Sequence, residues 1–138
     1  MITDDLIVTR SAFAVDETVD RLAAALTSAG NTVFARIDHA ANAAAAGLEM
    51  RPTQVLIFGN GKAGTPLMLS SPTLALDLPL KFLVWEDDAG ATQLAYTPLA
   101  VLARRHGLGG FGEQIAALDG RLATLSALVR LPDELSPS

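Results

Sequence analysis

The segment Leu56-Ile57-Phe58-Gly59-Asn60-Gly61-Lys62-Ala63-Gly64-Thr65-Pro66 is where this sequence comes nearest to chemistry. An apolar run ends at Phe58, three glycines fall within six residues, and a Thr-Pro pair follows. Glycines permit sharp turns and let backbone N–H groups converge. With the Lys62 ammonium and a helix N-terminus beyond it, such a loop could hold a carboxylate or a phosphate. Asn60, Gly61, Lys62 and Thr65 are the candidate ligand-binding residues. The match to known phosphate loops is incomplete. A Walker A loop needs Ser or Thr directly after Gly-Lys, and Ala63 stands there. Gly59, Gly61 and Gly64 fit Gly-x-Gly-x-x-Gly, yet no acidic residue closes a strand about 20 residues on. A tight structural turn accounts for the same glycines.

Titratable residues form the second group of candidates. Asp38-His39 stands at the end of an alternating stretch. There a carboxylate can orient an imidazole for base chemistry, or bind a polar ligand. Asp38 can equally be the N-cap of a following helix. Glu86 closes a strand and shares the face of Phe82 and Val84, which would turn it toward a pocket as a general acid or base. His106 lies beside a helix C-terminus, where the helix dipole favours a cation. His39 and His106 could together hold a metal or a haem only if the fold joins them, since no His-x-x-x-His or His-Glu-x-x-His spacing is present. No motif implies a cofactor.

Composition removes several classes of function. Without cysteine there is no disulfide, thiolate catalysis or iron–sulfur cluster. The net charge of −5 disfavours nucleic acid as a partner, and the ten Lys and Arg residues form no run. No apolar run approaches about 20 residues, and the N-terminus lacks the pattern of a signal peptide. A cytoplasmic protein without a membrane segment is the expectation. At 138 residues, half of them apolar, the chain has the length and the apolar content for one domain with a mainly aliphatic core.

The elements that must position these residues are legible from periodicity. Leu6–Thr9 reads as a strand. Asp16–Ala29 reads as a helix with Val15, Val19, Leu22 and Leu26 on one face and Gly30 as its stop. Thr32–Asp38 alternates, with Val33, Ala35 and Ile37 on one side. His39–Gly47 reads as a short alanine helix. Thr53–Phe58 reads as a strand buried on both faces. Thr65-Pro66 reads as a helix N-cap with proline at the first helical position. Leu80–Glu86 and Thr92–Tyr96 form a hairpin. Thr97-Pro98 opens a helix over Leu99–His106, and a last helix carries Ile115, Leu118, Leu122, Leu125 and Val129. Gly120 stands inside that helix, a sign of close helix contact. The fold expected is α+β, two-layer, with a mainly antiparallel sheet and helices on one face. One domain over 5–130 and a flexible tail over 131–138 complete the expectation.

Several segments together resemble one known family. They are Phe34–Ala40, Leu48–Thr53, Phe58–Met68, Leu78–Lys81, Val84–Asp87 and Leu102–Gly107. In that order they are similar to the bacterial and archaeal family called domain of unknown function 302. The resemblance spans roughly residues 5 to 130. It implies a β-α-β(4)-α fold and a homodimer. It implies no activity and assigns no catalytic residue. Two positions depart from the family's usual pattern: Gly61, where proline is common, and Tyr96-Thr97-Pro98, where a polar turn is common.

The reading that follows is a homodimeric module that binds a small anionic or polar ligand, with no established catalytic activity. A mean hydropathy of +0.35 adds to the case for a buried subunit interface. The alternatives are an enzyme using His39 or Glu86, and a metal or haem protein using His39 and His106.

Overall fold

Strand and helix alternate as far as the third helix, after which two strands and then two helices follow in succession, as the periodicities require. The computed structural model describes residues 5–132 of the chain. Five strands, β1 (Ile7–Ser11), β2 (Thr32–Asp38), β3 (Thr53–Gly59), β4 (Leu80–Glu86) and β5 (Thr92–Tyr96), form one sheet. Its order is β1-β5-β4-β3-β2, and every neighbouring pair is antiparallel. The helices are α1 (Val15–Ser28), α2 (His39–Ala45), α3 (Gly61–Ser70), α4 (Leu99–Arg105) and α5 (Gly112–Ala127), with a 3₁₀ turn at Pro72–Leu76.

The helix α1 connects the two edge strands, so it must cross the sheet. Its apolar stripe meets one sheet face. Val19, Leu22 and Leu26 are fully buried against Leu56, Phe82, Val84 and Leu94, and Leu122 of α5 closes the same core together with Val129, which lies in the turn beyond Ala127 and not in the last helix as expected. Each such side chain contributes about 1.5–3 kcal/mol on leaving water. Phe58 stacks on Phe82 at 4.8 Å, and Phe82 meets the Tyr96 ring edge-on at 5.5 Å. Gly30, beyond the end of α1, takes φ +87°, a conformation an L side chain resists. A second apolar group, Leu67, Leu74, Leu99 and Leu102, ties α3, the 3₁₀ turn and α4 together.

Four expectations are corrected. First, β3 is buried on one face alone. Gln54, Leu56 and Phe58 are buried while Thr53, Val55 and Ile57 are half-exposed, because the helices cover one side of the sheet. Second, β2 does not keep one alternation. Val33 pairs with Phe58 and Ala35 with Ile57, so a bulge at Phe34 turns Val33 toward the core and Ala35 and Ile37 to the reverse face. Third, α3 begins at Gly61 and not at Thr65-Pro66. The Asn60 side chain accepts from the Lys62 N–H at 3.0 Å and is the true cap, so Thr65 is an interior residue and Pro66 lies within the helix. Fourth, the cap of α4 comes from far along the chain. Asp119 accepts from the Leu99 and Ala100 N–H groups at 2.7 and 3.0 Å, a role that neither Thr97 nor Pro98 performs.

Leu131 donates its N–H to the Arg10 carbonyl at 2.7 Å beside β1. The rest of the expected tail, 133–138, lies outside the described residues.

Candidate functional site

Two hollows open at opposite ends of the sheet, on its helical side. The larger, about 700 Å³, lies where β3 ends and β4 begins. Phe58, Gly59 and Leu80 form its floor, α3 one wall and α5 the other. It is roomy because its walls are small. Gly61, Ala63 and Gly64 present α3 to it, and Ala117 and Gly120 present α5. A Cβ at Gly61 or Gly120 would meet nothing within 4 Å. Gly120 therefore marks open space, and the close helix contact expected there is absent. Gly59 is different: a Cβ there would stand 3.3 Å from the Phe34 ring and 3.6 Å from Pro79, so this glycine permits a close approach of neighbours.

The polar groups on this lining are few. Asn60 caps α3. Asn31 donates to the Leu26 carbonyl at 3.3 Å, and Thr124 donates to the Gly120 carbonyl at 3.0 Å. Arg121 is the one charged residue lining the cleft among the described residues, and no carboxylate joins it there. It makes no hydrogen bond or ion pair among the described residues. Of the glycine-segment candidates, Asn60 and Gly61 line the cleft, whereas Lys62 and Thr65 are exposed outside it. Arg121 escaped sequence reading, since one arginine on a helix carries no pattern.

The smaller hollow, about 360 Å³, lies at the other end of the sheet and is bordered by Asp16, Asp38, Gln54 and Glu86. Glu86 shares the face of Phe82 and Val84, as the alternation predicts. Its carboxylate lies 3.5 Å from the Arg51 guanidinium. The Asp38 carboxylate accepts from the Ala41 N–H at 2.9 Å and caps α2. Gln54 donates to Asp16 and accepts from Arg36 at 2.7 Å. His39 is exposed on the first turn of α2 and does not border the hollow.

His106 sits at the opposite end of the sheet from His39. The length of β4, roughly 20 Å at about 3.4 Å per residue, stands between their neighbourhoods. Within one chain the two histidines are therefore not brought together, and no group of three or more His, Cys, Asp or Glu residues that could hold a metal occurs among the described residues. His106 instead fastens α4 to the 3₁₀ turn. Its Nε2 lies 2.5 Å from Asp77 Oδ2, its Nδ1 lies 2.9 Å from the Thr73 hydroxyl, and its carbonyl accepts from Ser71 at 2.8 Å. The hydrogen bond from His106, with help from Arg105, holds the Asp77 carboxyl below its ordinary value against partial desolvation. Burial, reinforced by Asp119, pushes the Tyr96 phenol up.

The model of the family described as "Domain of unknown function DUF302" matches residues 7–125. The chain belongs to this family. A crystal structure titled as an uncharacterized conserved DUF302 protein from Bacillus stearothermophilus superposes with a TM-score of 0.83, covering 93% of this chain and all of that one. At 19% identity that likeness shows the DUF302 fold alone. Curated relatives from Brucella suis biovar 1 (strain 1330) and Brucella abortus biovar 1 (strain 9-941), each named "Fluoride-specific ion channel FluC 1", are 45% identical over 109 residues. The match takes in 79% of this chain and 43% and 40% of theirs, so the chain spans about two-fifths of their length. No helix among the described residues is long and apolar enough to cross a membrane.

Proposed function

We propose that this chain is a homodimeric, cytoplasmic small-ligand-binding module, and that its ligand occupies the cleft between β3, α3 and α5. The observation behind this reading is the cleft itself. Its volume falls within the range of small-molecule sites, about 300–1,000 Å³, and it is concave, mainly apolar and edged by a few polar groups. The acidic hollow is a weaker candidate, because its carboxylates are engaged by Arg36, Gln54, Arg51 and the α2 backbone. The test is native mass spectrometry and solvent extraction of the purified protein, followed by thermal melting with small-molecule panels. A protein that carries nothing and melts alike with every compound sinks the reading.

The homodimer has separate support. The reverse face of the sheet presents Val8, Ile37, Val55, Ile57, Leu83 and Trp85, and none of them joins either apolar cluster. Five strands about 4.8 Å apart and some 20 Å long span roughly 500 Å², more than half of the roughly 800 Å² per partner that a stable interface buries. Light scattering should give twice the 14.4 kDa chain mass, and Leu83→Glu should halve it. A monomeric wild type overturns this part.

The Brucella relatives favour a second reading, because they carry a matching stretch within chains named as fluoride-specific ion channels. On it the module acts as an accessory to such a channel. Deleting its gene should then sensitise cells to fluoride, and unchanged growth across a fluoride series removes the idea.

A further inference from the structure

Resting on the reading of the cleft as a ligand site, we infer that its ligand is an amphipathic anion: an apolar body closed by a carboxylate that meets Arg121. Shape comes first. Gly61, Gly64 and Gly120 help leave about 700 Å³ beside Phe34, Leu67, Met68 and Leu118, which favours a hydrocarbon body over a sugar or a nucleotide. A polyhydroxylated ligand would leave many of its own polar groups unpaired against these walls.

Charge comes second. The protein carries a net −5, yet no Asp or Glu borders this cleft among the described residues. Its other polar lining groups already bond within the chain: Asn60 through its oxygen to the Lys62 N–H, Asn31 to Leu26 and Thr124 to Gly120. Arg121 does not. A guanidinium presents a planar fork of donors that matches a carboxylate. It stands on the same stretch of α5 as Leu118, Leu122 and Leu125, so head and body would bind along one helix.

Straight-chain carboxylates of six to twelve carbons, matched alcohols and matched trimethylammonium salts, all below their micellar concentrations, form the test by titration calorimetry. Expected is saturable binding of the carboxylates, tightening about fourfold per added methylene until the cleft is full. The carboxylate should bind about tenfold more tightly than the alcohol of equal length, and the ammonium more weakly than both. Arg121→Gln should erase the carboxylate preference and leave alcohol binding within twofold. Equal binding of carboxylate and alcohol to wild type overturns the anionic head while the cleft stays a ligand site. Binding that ignores chain length overturns the apolar body. No binding by any of the three series overturns the amphipathic ligand, and the ligand reading then stands or falls on the extraction and melting panels alone. A melting curve for Arg121→Gln that matches wild type shows that a lost preference is not lost folding.

Discussion

The two ends of the sheet hold hollows of opposite character. At the end formed by Asp16, Asp38, Gln54 and Glu86, polar side chains are abundant and bond to one another, to arginines or to a helix N-terminus. At the end formed by Gly59, Gly61, Gly120 and Arg121, polar side chains are few, and the one cation is left unmatched among the described residues. The difference teaches that titratable residues in number do not make a site. The proposed site has room instead, and a charged group that no protein partner engages among the described residues. The acidic end has spent its capacity on holding α1 and α2 to the sheet. The apolar end keeps an open volume and an exposed guanidinium with no protein partner among the described residues.

The sharpest way to break this comparison is Gly120→Leu. The new side chain would enter space where a Cβ meets nothing within 4 Å. Leucine is also the better helix former by about 0.8 kcal/mol. Ligand affinity should fall about a hundredfold, ~2.8 kcal/mol, while the melting temperature holds or rises. Calorimetry with the best-binding carboxylate and a melting curve read the two effects independently. If the variant binds as wild type does, the cleft is not the site.

At the polar end the largest expected loss is one of stability. Gln54 is 4% exposed and links Asp16 of α1 to Arg36 of β2. Gln54→Leu keeps the volume and removes both bonds, each to a charged partner that water reaches in part. Chemical denaturation should show a cost of about 1.5 kcal/mol, with carboxylate affinity unchanged within twofold. A variant that loses affinity without losing stability would reverse the roles assigned to the two ends.

The sequence makes the fold far easier to read than the cleft. β4 lies where the alternation places it, because a sheet with helices on one side stamps a period of two on its strands, and β2 keeps its expected bounds although the bulge at Phe34 interrupts that period. Asp38 is a cap, as its place before the alanine run allows. The cleft is another matter. It is built from missing side chains on α3 and α5, elements some 50 residues apart, and absence has no periodicity. Gly61 and Gly64 drew notice as a loop, yet they are helical, and their service is to leave room. The Thr65-Pro66 signal misled because Asn60, five residues earlier, offers a competent cap and the first turn of a helix tolerates glycine. Gly120 was the one visible hint, a helix breaker retained inside an amphipathic helix. Arg121 beside it looked like any solvated cation.

Asn60 borders the cleft and also starts one of its walls. Asn60→Ala removes the oxygen that accepts from the Lys62 N–H and should cost about 1 kcal/mol. Asn60→Asp keeps that acceptor and should restore stability. It also places a carboxylate at the rim, so affinity for an anionic ligand should fall while affinity for the matched alcohol holds. Equal affinity of Asn60→Asp and wild type for the carboxylate would place the head group away from α3.

The smallest effect expected lies behind the apolar end, where Asp77 joins His106 and Arg105. The folded protein holds this carboxyl below its ordinary value of 3.8, chiefly through the hydrogen bond from His106. The carboxylate form is therefore favoured by folding. Its contribution is complete above the unfolded value and drains away as pH falls through the lower, folded one. The group is partly exposed, so solvent screens much of the gain. Asp77→Asn should lower the melting temperature by a small amount at neutral pH, and the gap to wild type should narrow as pH falls below 3.8 toward the lower, folded value. A gap that does not narrow in acid would mean that the amide has disturbed the packing of α4 on the 3₁₀ turn. The clamp would then hold α4 to the 3₁₀ turn by shape, with charge contributing little.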